Sequence, residues 1–277
     1  MTDQPAASVE RAVTARLRAA GCVFAEDEAR LLMQAAGSPA ELDELVDRRV
    51  SGEPLEPLLG WAEFDGLRIL IDPGAFVPRR RTEFLVACAA ELAPTDAVVV
   101  DLCCGAGAIG TALAARLGPG IELVAADVDP AAVRCARRNI EPAGRVFAGD
   151  LYEALPPELR GRVDVLAMNA PYVPTDEIAL MPPEARLYEP AVALDGGDDG
   201  LAVHRRVAEG ASQWLAPGGS LLIETSLRQS ESSAALFAAA GLVARIERSD
   251  EHDATVVIAT APPAGRSGDG AGGASVA

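Results

Sequence analysis

The chain contains no lysine: its 24 basic side chains are all arginines, set against 41 aspartates and glutamates for a formal net charge of −17. A protein that grips a phosphate backbone over a broad surface needs a basic stripe, so the composition counts against an extended nucleic-acid interface, though not against a small basic patch. No run of about 18 apolar residues occurs, which is the length a spanning helix requires. Residues 1–10 are polar and acidic, without the apolar core of a signal segment. The five cysteines, Cys22, Cys88, Cys103, Cys104 and Cys135, are odd in number and lack a paired framework. That pattern suits a reducing compartment better than a disulfide scaffold, and a cytoplasmic protein is expected. Histidine is scarce: His204 and His252 have no partner at metal-ligand spacing, and Cys103-Cys104 is adjacent rather than C-x-x-C, so no metal site is expected. Glycine (26) and proline (20) are well represented but carry no collagen-like period.

What is present is enough for a large core. With 277 residues, 49% of them hydrophobic, the chain suits one large domain or one domain with a small appendage. Apolar positions at helical spacing fill residues 8–53. Val9, Val13, Leu17 and Ala20 form one stripe, and Ala29, Leu31, Leu32 and Ala35 a second. A third, Leu42, Leu45, Val46 and Val50, is opened by Ser38-Pro39 with Glu41 in its first turn, and Gly52-Glu53-Pro54 ends the unit. Residues 61–71 then alternate loosely, as in a short hairpin or connector.

From residue 97 the pattern repeats. Strands are expected at 98–100, 121–126, 145–148, 163–168 and 220–223, with helices after Gly107 and at 130–139, 204–215 and 230–240. Two last strands, 243–246 and 255–260, share a short turn and should pair antiparallel. Strands alternating with helices argue a Rossmann-like, doubly wound sheet that is mostly parallel. The small, glycine-rich stretch 262–277 is expected to be a disordered tail. In such sheets the ligand lies at the carboxyl ends of the strands, and four consecutive strands here end in a polar residue: Asp101, Asp127, Asp150 and Asn169.

The segment Asp101-Leu-Cys103-Cys104-Gly105-Ala106-Gly107-Ala-Ile-Gly110 contains G-x-G-x-x-G, and Asp127 follows near the spacing of a ribose-binding acid. Glycines there let the backbone turn tightly against a cofactor. Alone, the loop suits NAD or S-adenosylmethionine. Asp101 would repel a pyrophosphate but attract an ammonium or sulfonium, and Asp150 is placed to accept from an adenine amine, so S-adenosylmethionine is the expected cofactor and S-adenosylhomocysteine its product. A nucleophilic role for Cys104 lacks a base. Arg79-Arg80-Arg81 reads most simply as a solvated charge run, the alternative being contact with an acidic substrate or closure over the active site; Trp61 and Trp214 read as packing residues, and neither histidine as catalytic.

After the fourth strand comes Asn169-Ala170-Pro171-Tyr172, which resembles the Asn-Pro-Pro-Tyr loop of aminomethyltransferases. In them the asparagine oxygen and the next carbonyl accept from the target NH2 while the tyrosine packs on its plane. A planar nitrogen is a poor nucleophile because its lone pair is delocalised. Two fixed acceptors aim it at the methyl group and disperse its developing charge.

Gly52-Glu-Pro-Leu-Glu-Pro-Leu-Leu-Gly-Trp-Ala-Glu-Phe64, Phe76-Val-Pro-Arg79 with Thr82-Glu83, and Glu189-Pro190 with Ala193-Leu-Asp-Gly-Gly-Asp-Asp-Gly-Leu201 together resemble the HemK/PrmC family of protein-(glutamine-N5) methyltransferases, over roughly residues 8–261. The resemblance implies a class I S-adenosylmethionine-dependent methyltransferase: a seven-stranded, mostly parallel sheet with an antiparallel last strand, behind a small helical domain. It implies a helical substrate-recognition domain at 1–53, a hairpin hinge at 54–80 and the methyltransferase domain at 81–261. The family methylates the glutamine amide of the Gly-Gly-Gln loop in peptide-chain release factors. By position, Cys103, Cys104, Gly105, Ala106 and Gly107 would line the cofactor, Asp127 its ribose, Asp150 and Leu151 its adenine, and Asn169, Ala170, Pro171 and Tyr172 the amide.

Four departures touch substrate recognition more than cofactor use. Ala170 replaces a proline, Pro78-Arg-Arg-Arg-Thr-Glu83 loses one, the helical unit looks short, and Asp253-Ala-Thr-Val256 stands where the family tends to have Gly-x-x-Arg before the last strand. The rival readings are therefore a free small-molecule acceptor with an amide or guanidine nitrogen, a nucleic-acid aminomethyltransferase disfavoured by the charge of −17, and a non-catalytic binding module disfavoured by the four polar strand ends.

Overall fold

Four helices come first in the computed structural model, which describes residues 3–141 and 143–264. They are α1 (Asp3–Ala19), α2 (Ala25–Ala35), α3 (Pro39–Val50) and a short α4 (Leu55–Leu59). Ser38 caps α3, its hydroxyl accepting from the Glu41 N–H at 3.2 Å, with Pro39 in the first turn. The stripes pack on one another as a separate small core of Val13, Leu17, Ala29, Leu32, Leu45 and Val46. Leu58 of α4 joins that core, so the helical unit continues past Pro54.

Asp65 and Gly66 both take positive φ, 52° and 71°, and turn β1 (Trp61–Phe64) tightly into β2 (Leu67–Leu70), with Phe64 opposite Leu67. Two such residues match the twist of a two-residue hairpin. Phe64, Ile69 and Ile71 are buried in one of the two cores flanking the main sheet, so the hairpin is fastened to the larger body. Trp61 is half-buried beneath the Arg68 guanidinium, 3.9 Å from its ring centre.

Helix α5 (Glu83–Leu92) follows. It escapes the periodicity reading because Phe84 to Ala90 is apolar on nearly every side, with Leu85, Val86 and Ala89 buried. The alternation then proceeds through β3 (Val98–Leu102), α6 (Ala108–Leu117), β4 (Glu122–Asp127), α7 (Pro130–Ile140), β5 (Gly144–Ala148) and β6 (Val163–Met168). A long connection carrying α8 (Pro183–Tyr188) leads to α9 (Ala202–Trp214), β7 (Leu215–Thr225), α10 (Ser230–Ala239), β8 (Val243–Ser249) and β9 (Ala254–Thr260). Strand β7 starts earlier than its apolar run suggests because a register shift opposite Val163 and Val165 lets Leu215 pair as well. Trp214 is buried and stacks on Tyr152, ring centres 5.7 Å apart.

The seven-stranded sheet has the order β5-β4-β3-β6-β7-β9-β8. Only β9 runs against the rest, pairing antiparallel with both β7 and β8. The strand order reverses between β3 and β6, and there a doubly wound sheet opens a crevice at its carboxyl edge. The class I methyltransferase fold expected above is therefore the observed one. The expected tail falls outside the described residues from 265 onward. No helix among the described residues is long and apolar enough to cross a membrane.

Candidate active site

A cavity of about 460 Å³ opens at the carboxyl ends of β3, β4, β5 and β6. Cys103 and Gly105 from the glycine loop, Asp127 and Val128 after β4, and Asp150 and Leu151 after β5 line one half. Asn169, Ala170, Pro171 and Tyr172 line the other. A smaller recess of about 40 Å³ adjoins it, with Cys104, Ala106, Thr82 and Phe76 in its wall and Asn169 shared between the two.

The loop turns by alternating left-handed residues, with φ of 58° at Cys103, 54° at Gly105 and 79° at Gly107. A side chain at Gly107 would be strained by its φ of +79° and crowded by α7, its Cβ 2.9 Å from Ile140 Cδ1 and 3.3 Å from Ala136 Cα. The glycine serves the packing of α6 on α7 and faces away from the cavity. The Asp127 carboxylate holds the loop to β4, accepting from the Gly105 N–H at 2.8 Å and the Asp129 N–H at 2.9 Å. Burial pushes Asp127 above its ordinary carboxylate range.

Asp101 is not in the cavity wall. It is fully buried beneath the loop, where Oδ2 accepts from the Gly110 N–H at 2.8 Å and Oδ1 has no partner among the described residues. Its expected attraction to the cofactor's cationic side gives way to a role in holding the start of α6, because β3 ends one residue later, at Leu102. Burial raises Asp101 to about 7. Asp150 lines the cavity with one oxygen paired to Arg206 Nη2 at 2.8 Å. The apolar faces of Val128, Leu151, Ala132 and Val203 stand around it.

At the other end, Asn169 Nδ2 lies 3.2 Å from the Thr82 hydroxyl, which lies 2.6 Å from Glu224 Oε2. Glu224 also pairs with Arg81 Nε at 3.0 Å, and Arg81 Nη2 reaches the Tyr172 hydroxyl at 2.7 Å. Arg79 binds the buried Glu189 at 2.5 Å. The arginine run is thus only partly solvated: Arg79 and Arg81, with side chains 32% and 45% exposed, are each held by a buried carboxylate, and Arg80 has no such bond among the described residues. The acceptor loop is clamped from below. Gln229 Nε2 donates to the Tyr172 carbonyl at 2.9 Å and the Gly196 N–H to that of Val173 at 2.8 Å. The Ala170 carbonyl has no partner among the described residues.

The donor set suits a phosphate-free, cationic cofactor. The arginines lining the cavity, Arg79, Arg81 and Arg206, each pair with a carboxylate, so their charges are balanced by acids among the described residues. Burial beside Asp101 and Asp127 pushes the thiols of Cys103 and Cys104 up, away from nucleophilic thiolate. His204 is fully buried on α9, bonded to Ser233 Oγ at 2.8 Å, while His252 stacks on Phe84. No group of metal-ligating side chains forms among the described residues.

Thr82, Glu224, Arg206 and Val128 were not expected here, and Arg81 only under the alternative reading of the arginine run. Glu224 carried the same signal as the other strand ends, a polar residue closing the apolar run Leu221-Leu-Ile223.

Fold and cavity together define a class I S-adenosylmethionine-dependent methyltransferase. A family model described as "Methyltransferase small domain" matches residues 67–182. A methyltransferase from Pyrococcus furiosus has the same fold, with a TM-score of 0.53 at 19% identity over 71% of this chain and 90% of that one. The release factor glutamine methyltransferase of Geobacter sulfurreducens is 40% identical over 200 residues, 71% of this chain and 69% of its own length. The 4-amino-L-phenylalanine/4-methylamino-L-phenylalanine methyltransferase of Streptomyces pristinaespiralis is 36% identical over 243 residues, 85% of this chain and 82% of its own length. The chain belongs to the release factor glutamine methyltransferase (HemK/PrmC) family.

Proposed function

We propose that this protein methylates the side-chain amide nitrogen of a glutamine in a peptide-chain release factor. S-adenosylmethionine supplies the activated methyl group, carried on a sulfonium. The observation that carries the reading is the pair of open acceptors at the cavity wall: Asn169 Oδ1 and the Ala170 carbonyl, neither bonded within the described protein. A glutamine NH2 offers two donors, and two fixed acceptors orient its lone pair and disperse the positive charge that grows on nitrogen. Tyr172, tied by its hydroxyl to Arg81 and Glu224, is assigned to the amide plane. No general base is required before transfer, because the proton leaves the methylated nitrogen for water.

At the cofactor end, Asp127 keeps lone pairs for ribose hydroxyls after binding the Gly105 and Asp129 N–H groups. Asp150 and the apolar faces of Val128 and Leu151, which line the cavity, would hold the adenine. Cys103 and Gly105 contribute backbone to the same wall, and Cys104, Ala106 and Gly107 shape the loop. The helical unit of α1 to α4 is assigned to recognition of the protein acceptor, with the hairpin as its connector.

A second reading, a free small-molecule acceptor, draws on the extent of the match to the S. pristinaespiralis enzyme and on Ala170 in place of the usual proline. Labelled S-adenosylmethionine offered with release factor in one tube and a small-molecule extract in another separates the two. Label in the release factor is the expected result; label confined to the small-molecule fraction overturns the protein reading.

A further inference from the structure

The hydrogen bonds around Thr82 run in one direction. Glu224, paired with Arg81 at 3.0 Å, presents a carboxylate that only accepts. A threonine hydroxyl has one proton, and the 2.6 Å contact commits it to Glu224 Oε2. Thr82 then has only lone pairs to offer Asn169, 3.2 Å away, so the Asn169 atom facing it is the NH2. Oδ1 is left turned from Thr82, open to the cavity and free of protein donors among the described residues.

This direction matters because an amide is nearly the same shape either way round. Flipped by half a turn, Asn169 would aim N–H groups at an acceptor nitrogen that also carries N–H groups. The methyl acceptor would meet donors where it needs a lone pair. The device that prevents the flip is dry: Thr82 is 3% exposed and Glu224 1%. Glu224 also accepts from the Tyr172 hydroxyl at 3.2 Å, so one carboxylate organises both ends of the loop Asn169 to Tyr172.

We propose that Thr82 is a positioning residue: held as a donor by Glu224, it fixes the Asn169 amide with its oxygen toward the methyl acceptor. The proposal rests on the reading that Asn169 faces the acceptor nitrogen, and its test does not depend on the acceptor's identity. The chain has only two asparagines, Asn139 and Asn169. Full-length protein labelled with ¹⁵N-asparagine therefore shows two side-chain NH2 pairs. Asn139 donates to the Leu70 carbonyl at 2.9 Å and the Ala106 carbonyl at 2.8 Å, and serves as an internal reference.

In the unaltered protein one Asn169 NH2 proton should exchange slowly with water. Thr82→Val keeps the side-chain shape and removes the hydroxyl, and should speed that exchange by about tenfold or more while Asn139 is unchanged. Thr82→Ser, which restores the hydroxyl, should restore protection. With release factor as acceptor, Thr82→Val should lower kcat by about 10- to 100-fold without altering S-adenosylmethionine affinity, and Thr82→Ser should recover most of it. Unchanged Asn169 exchange in Thr82→Val overturns the proposal, and so does a Thr82→Ser variant as impaired as Thr82→Val. If the unaltered protein leaves release factor unmethylated, the glutamine reading fails, and the exchange measurement still decides the role of Thr82.

Discussion

At Gly200 an added methyl group would fall 2.2 Å from the Tyr172 carbonyl oxygen and 2.1 Å from Gln229 Nε2, on a backbone with φ of +74°. The glycine is needed because the acceptor loop rests directly on it. Its neighbour Gly196 meets the same loop, with Tyr172 Cα 2.8 Å from where its Cβ would be. The Leu194 to Leu201 motif is thus a bed for Asn169 to Tyr172, a reason invisible while the two stretches are read separately along the chain. Because that bed, with Gln229 on the Tyr172 carbonyl and the Gly196 N–H on that of Val173, holds the loop without help from the Asn169 side chain, truncation of the side chain should leave the loop in place. Asn169→Ala is expected to lower kcat by about 10²- to 10³-fold with S-adenosylmethionine affinity retained. Turnover measured beside calorimetric cofactor binding checks this; equal loss of both would reassign Asn169 to the cofactor.

Arg49 joins three elements. From α3 it pairs with Glu28 of α2 at 2.6 Å and with Glu184 of α8 at 2.6 Å, its side chain 9% exposed against 10% for Glu28 and 50% for Glu184. The half-exposed arm to Glu184 contributes little to stability in water, but it ties the helical unit to the long connection beside the cavity. The arm to Glu28 is dry, and removing one partner of a buried pair strands the other charge. Arg49→Met should therefore cost about 3 kcal/mol, and Arg49→Met with Glu28→Leu should regain most of it, since apolar groups replace a buried pair at little cost. Denaturant midpoints of the two variants test the point, and equal losses would refute it. Elements of this kind divide what the sequence discloses from what it does not. Strands β3 to β6 were legible as short runs closed by a polar residue, α3 as a stripe opened by a cap, and α7 as the helix expected at 130–139. Helix α5 was not, because a segment whose side chains are apolar on nearly every side loses its periodicity. Nor were Arg49–Glu184 and Arg81–Glu224, whose partners lie 135 and 143 residues apart and meet only through the tertiary fold.

On the scale of the whole molecule, the charge of −17 is unevenly used: most acids are solvated, and a few are buried where their titration is coupled to folding. Asp101 and His204 pull in opposite directions. Burial raises Asp101 from an ordinary 3.8 to about 7. Between those values the folded chain holds a proton the unfolded chain has lost, so stability falls as pH rises through that window and is level above it. Burial lowers His204 from 6.5 to about 4. Here the unfolded chain takes up a proton that the folded chain refuses, so the contribution is complete above 6.5 and is lost as pH falls toward about 4. Each effect is of order 3–5 kcal/mol, and the windows overlap with opposite slopes, so the two partly offset each other in the native protein. Single substitutions should expose them. Asp101→Asn keeps an oxygen for the Gly110 N–H, and its stability relative to the unaltered protein should climb as pH rises from 4 to 7 and then hold constant. His204→Gln keeps a partner for Ser233, and its relative stability should climb instead as pH falls from 6.5 toward 4. Urea unfolding of the three proteins, without cofactor, across this pH range measures both. Parallel pH profiles for all three would mean that neither burial is coupled to folding as the structure indicates.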